Sequence, residues 1–141
     1  MSTIGENGTS RRVMLEQGNY RRERLLSGIV VLRLLDDEPE TLEAWFEDCN
    51  RLMGEWEPGQ RLRYLHDIRG AERVTPRATD RVARILKRMR NTPVTDGRGA
   101  IVLKNSTIAS LLSTFFKRRP QANWTIRFFD DEADALRWLS Q

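Results

Sequence analysis

Residues 29–56 read IVVLRLLDDEPETLEAWFEDCNRLMGEW, and the change of period inside this stretch decides the fold class. Residues 29–35 are apolar apart from Arg33 and rich in β-branched side chains, the composition of a strand covered on both faces. From Asp37 or Glu38 onward the pattern changes. Pro39 suits the first helical position, acids crowd the first turn, and Leu42, Trp45, Phe46, Cys49, Leu52, Met53 and Trp56 recur with a helical period. A buried strand followed at once by a helix with one apolar face is the first half of a parallel crossover unit. Burying that face, at roughly 1.5–3 kcal/mol per large side chain, anchors helix to sheet. Pro58-Gly59 closes the helix.

The same alternation continues downstream. RLRYLHDI (61–68) reads as a strand, and Thr75-Pro76 supplies an N-cap with proline at the next position. On the helix that follows, Ala78, Val82, Ile85, Leu86 and Met89 form the inner stripe, and Asn91-Thr92-Pro93 ends it. GAIVLK (99–104) is a further strand, after which Asn105-Ser106-Thr107 can cap a helix with Ile108, Leu111, Leu112, Phe115 and Phe116 inward. NWTIRFF (123–129) is the last strand and DDEADALRWL (130–139) the last helix, with Ala133, Leu136 and Trp138 or Leu139 facing in. Upstream, Gly18-Asn19 and Ser27-Gly28 split residues 12–35 into short β-prone runs, an antiparallel hairpin or meander. The small, polar residues 1–12 are expected to form a flexible tail, and residues 13–141 a single α/β domain.

Composition narrows the chemistry. Cys49 is the only cysteine, which excludes an internal disulfide and a cysteine-rich zinc site, and His66 is the only histidine. Gly97-x-Gly99 precedes its strand, the wrong order for a dinucleotide loop, and neither a phosphate-binding Gly-Lys-Ser/Thr loop nor a Gly-x-Ser-x-Gly elbow occurs. Neither a catalytic residue nor a cofactor or metal site is therefore assigned, and an enzyme is not expected. With no apolar run long enough to span a bilayer and no apolar leader, the expected location is the cytoplasm. The net charge of +4 hides two poles: seven acids and no base between Asp36 and Asp48, and seven bases against Asp80 alone between Arg73 and Arg90. The acids on the first helix read as a solvated face. Arg77, Arg81, Arg84 and Arg88 recur along one side of the second helix and form the candidate partner surface, for an acidic protein or a second copy of the chain. Nucleic acid is not expected, because no helix-turn-helix pattern accompanies the basic stripe.

The order of elements, together with the ending IRFFDDEADALRWL, resembles the STAS fold of sulfate transporters and bacterial anti-sigma factor antagonists. The likeness is strongest to the divergent bacterial branch of stand-alone, antagonist-like proteins. It is carried by Phe128-Phe129 at the strand tip, the acidic turn Asp130-Asp131-Glu132 and the helix Ala135-Leu136-Arg137-Trp138-Leu139, and it covers residues 29–139. The resemblance implies a mixed, largely parallel sheet with an N-terminal antiparallel hairpin or edge strand and about four helices. It also implies a non-enzymatic regulatory domain that acts through protein–protein interaction, including self-association as a homodimer. Well-studied members begin the helix after the strand equivalent to RLRYLHDI with an Asp-Ser-Ser/Thr-Gly type motif that is phosphorylated. Here ERVTPRATDR offers only Thr75 and Thr79 near that place, so no phosphosite is carried over.

Adjacent strand residues point to opposite faces, so His66 and Asp67 cannot pair with each other. With Leu62, Tyr64 and Ile68 on its face, His66 is read as packed under a helix with one ring nitrogen hydrogen-bonded. Ligands of open α/β sheets gather at strand carboxyl ends. The candidate ligand or switch loop is accordingly Asp67, Arg69, Thr75 and Thr79, with Asn105, Ser106 and Thr107 at the neighbouring turn. A small lipid or anionic metabolite held there is the alternative to a protein partner.

Overall fold

The computed structural model describes residues 2–4, 10–92, 94–104, 109–110, 112–114 and 124–141. Gly18 and Gly28 adopt left-handed backbone, φ 59° and 92°, and thereby fold β2 (Ser10–Gln17), β3 (Tyr20–Leu25) and β4 (Val30–Leu34) into an antiparallel meander. β1 (Ser2–Ile4) lies on its edge, antiparallel to β2. Residues expected as a tail thus supply two strand segments. Pairing at a sheet edge uses backbone groups and requires no apolar side chain, so composition carries no sign of it.

From β4 onward the chain forms parallel crossovers. α1 (Pro39–Gly54) leads to β5 (Arg61–Asp67) and α2 (Pro76–Asn91) to β6 (Asp96–Val102). Residues 109–110 and 112–114 are helical ahead of β7 (Trp124–Phe129), and α3 (Glu132–Leu139) comes last. Among the described residues seven strands form one sheet in chain order, with three antiparallel pairs followed by three parallel ones. Crossovers of one hand, stepping in one direction, place α1 and α2 on the same face. That face buries Leu32, Leu34 and Leu62 of the sheet under Trp45, Cys49 and Met53 of α1 and Ile85, Leu86 and Met89 of α2. α3 covers the opposite face, where Val31, Leu65, Ala100 and Val102 meet Ala135, Trp138 and Leu139.

The helix starts follow from their caps. Thr75 accepts from the Ala78 amide at 3.1 Å and Pro76 occupies the first turn, while Asp131 accepts from the Ala133 amide at 2.6 Å. Two expectations need correction. Under α3 the buried alanine is Ala135; Ala133 is only partly covered, because the helix begins at Glu132 and not earlier. On α1 the acids do not all face water. Asp48 is fully buried, accepting from the Tyr20 hydroxyl at 2.6 Å and from Arg51 at 2.9 Å, with Arg22 at 3.4 Å. A buried carboxylate survives only with such partners, and all but Arg51 come from β3, which helical periodicity cannot reveal.

Candidate functional site

An opening in the core lies between the β4–β7 face of the sheet and the helices α1 and α2. It is a chamber of about 270 Å³. Its floor is made by a gap in side chains. A Cβ on Gly99 would stand 2.9 Å from Ile126 Cδ1, and one on Gly97 would stand 2.6 Å from the Trp124 ring, so both β7 side chains lean over β6 where it carries none. The walls are apolar: Leu42 and Met53 from α1, Val82 and Ile85 from α2, Ile101 and Leu112 towards β7. The lining extends to Ala71, Arg73 and Val74 in the β5–α2 loop, of which Arg73 and Val74 are exposed.

His66 stands in this lining, beneath α1. Its Nδ1 accepts from the Trp45 indole at 3.2 Å, and the two rings meet edge to face at 6.0 Å. Enclosure pushes the imidazole down to about 4, so it is neutral near pH 7. Tyr64, one pleat away, stacks on Trp124 at 6.1 Å, and burial pushes its hydroxyl up to about 12. Burial likewise pushes the Cys49 thiol up. Among the described residues no carboxylate pairs with His66 and neither hydroxyl nor thiol is activated, so the chamber presents no nucleophile with a base. It can hold an apolar molecule against its walls.

Asp67 faces away from the chamber, as its neighbour's orientation requires. It accepts from the Arg69 amide (3.2 Å), from Arg69 Nε (2.8 Å) and from Arg33 (2.7 Å). Arg33 also bonds Glu23 and Glu132, and Arg11 joins Glu132 at 3.0 Å. Burial would raise Asp67 and Glu132, but the arginine hydrogen bonds and charges outweigh it and hold both carboxyls below their ordinary range. This network ties β2, β3, β4 and β5 to the start of α3. Asp67 and Arg69 are brought together, but with each other as partners.

Thr75 and Thr79 lie at the start of α2. Thr79 donates to the Thr75 carbonyl at 3.1 Å and lines the chamber. Asn105, Ser106 and Thr107 lie outside the described residues. The arginine stripe of α2 meets the acid pole of its own chain. Arg77 and Arg81 bond Glu43 at 3.0 and 2.7 Å, Arg84 bonds Asp80 at 3.0 Å, Arg88 reaches Asn50 at 3.2 Å, and Arg73 clasps Asp37 at 2.7 Å. Arg81 also lies 4.9 Å above the Phe46 ring. Arg77, Arg81 and Arg88 thus sew α2 to α1. The sequence does not reveal the chamber, because no periodicity reports a void, and the structure corrects the placement of Gly97-x-Gly99: both glycines lie inside β6 and not ahead of it.

Among the described residues no helix is long and apolar enough to cross a membrane. No protein-family profile and no curated protein matches the chain. Among solved structures it is similar to an uncharacterized protein of the DUF3478 family with a SpoIIAA-like fold from Shewanella loihica PV-4. The two share 16% identity and superpose with a TM-score of 0.54 over 97% of this chain and 99% of that one. The likeness read from the ordered elements therefore holds for the architecture: this chain has the SpoIIAA-like, STAS-like α/β fold.

Proposed function

We propose that the chain is a cytoplasmic, non-enzymatic binding domain whose chamber under α1 and α2 holds a small, largely apolar molecule. The observation that carries this reading is the chamber itself, about 270 Å³ lined by apolar side chains. An engineered apolar cavity of about 150 Å³ admits benzene, so a bicyclic ring or a chain of about ten carbons is the matching size. Chemistry at this site is disfavoured by the protonated Tyr64 and Cys49 and the neutral His66.

Naphthalene is a suitable probe. It should bind and raise the melting temperature by mass action, and Gly99→Val, which puts a branched side chain into the floor, should weaken it at least about tenfold. Naphthalene affinity unchanged by Gly99→Val, or no binding at all, would count against the chamber as a site.

A protein partner is the second reading, in keeping with a STAS-like regulatory role. It is favoured by the outer side of α2, where the Arg77 and Arg84 side chains stay 50% and 64% exposed despite their internal partners. Guanidinium forks that use one or two of five donors can still receive an acidic partner or a second copy of the chain. Light scattering at low and high salt reads this directly: a salt-sensitive dimer supports self-association, and a monomer throughout removes that version.

A further inference from the structure

The chamber contains a hydrogen-bond donor that no described residue uses. Because His66 Nδ1 accepts from the Trp45 indole, the proton of the neutral ring sits on Nε2. No described residue accepts from Nε2. Tyr64 also lines the chamber, its hydroxyl kept protonated by burial, and Thr79 spends its hydroxyl proton on the Thr75 carbonyl. The one cation among the described lining residues, Arg73, is engaged by Asp37 and Glu38. Donors in an apolar enclosure without a free charge select a particular kind of guest: it must bring an acceptor, and an ion would be buried there unpaired.

We propose that the chamber takes an uncharged molecule with an apolar body and one hydrogen-bond acceptor, such as a ketone, ester or alcohol, and that His66 Nε2–H holds that acceptor. This rests on the chamber being a binding site and adds which chemical class it selects. A carboxylate of the same shape is disfavoured, since His66 is neutral and Arg73 already faces two carboxylates, Asp37 and Glu38.

The test compares three probes with one bicyclic body on the full chain at pH 7.5: naphthalene, 2-acetylnaphthalene and 2-naphthoate. The ketone should bind about tenfold more tightly than naphthalene, as one net hydrogen bond allows, and the carboxylate more weakly than the ketone. His66→Phe, which keeps a ring and removes the donor, should bring the ketone down to naphthalene's affinity. His66 is the only histidine, so a proton–nitrogen correlation spectrum of histidine-labelled protein shows a single ring. It should report the Nε2–H tautomer, with that proton moving downfield on adding the ketone and not on adding naphthalene. This spectrum and the three affinities decide the matter even where His66→Phe does not fold. Equal affinities for ketone and hydrocarbon, tightest binding of the carboxylate, or a proton on Nδ1 would overturn the assignment while leaving the chamber as a site. Failure of all three probes to bind would remove the chamber reading and this assignment with it.

Discussion

Acidification isolates the enclosure of one side chain. The His66 imidazole titrates at about 4 in the folded chain against an ordinary 6.5, because burial withholds water from the cation. Protonation would also set a proton on Nδ1 against the Trp45 indole N–H, two donors 3.2 Å apart. Between those two values the unfolded chain holds a proton that the native chain refuses, so stability is present above pH 6.5 and falls as pH drops. The slope approaches about 1.4 kcal/mol per pH unit and the full loss about 3 kcal/mol. From pH 7.5 to 5.5 the loss is about 1.3 kcal/mol. The carboxyls held low by arginines or hydrogen bonds, Asp36, Asp37, Glu43, Asp67 and Glu132, lose their contribution at lower pH, below their unfolded values near 4. The window above pH 5.5 therefore belongs to the single histidine. Urea melts at the two pH values should show the midpoint falling by about 0.5–1 M at constant slope, and His66→Asn, which lacks a titrating ring, should show almost no fall. A midpoint that does not move in the parent chain, or one that moves equally in His66→Asn, would refute the enclosure of His66.

Substitutions at four further positions probe the frame around the chamber, each read by urea or thermal unfolding. Gly70→Ala should destabilise by about 1–3 kcal/mol, because its Cβ would sit 2.5 Å from the Leu35 carbonyl, a backbone group that cannot rotate away; Gly99→Ala meets only the end of Ile126 and should cost less. Thr75→Ala should cost about 1 kcal/mol through the lost cap on Ala78, and Thr75→Ser should restore most of it. Asp48→Ala should cost about 3–5 kcal/mol, since it leaves the Tyr20 hydroxyl and Arg22 facing an uncompensated buried site.

The fold was legible wherever a rule of local periodicity governed the outcome. The strand at 29–35, the helical stripe from Leu42 to Met53, the Thr75-Pro76 start and the turns at Gly18 and Gly28 all report interactions within a few residues along the chain. What could not be read there depends on partners far away. Asp48 looked like a surface acid until Tyr20, 28 residues earlier, was placed over it. The sequence shows the arginine stripe of α2 as a partner surface and the acids of the first helix as a solvated face; that Arg77 and Arg81 also pair with Glu43 follows only from setting the two helices side by side. His66 was legible as a packed ring, because alternation assigns its face. The chamber beside it was not, since a space is defined by side chains from four strands and two helices that fail to meet.

The placing of α3, the one helix among the described residues that packs on the far side of the sheet, bears on how the protein is made. Val31, Leu65, Ala100 and Val102 line up on that side from three successive strands, and what shields them is Ala135, Trp138 and Leu139. The salt links from Arg11 and Arg33 likewise wait for Glu132. On the ribosome, β4, β5 and β6 emerge together with both of their long helices, yet this flank stays greasy and its guanidinium groups half-matched until the final stretch of this sequence has left the exit tunnel. Clipping that stretch away would trap the same exposed flank permanently, a surface suited to chaperones or to sticking against its own kind.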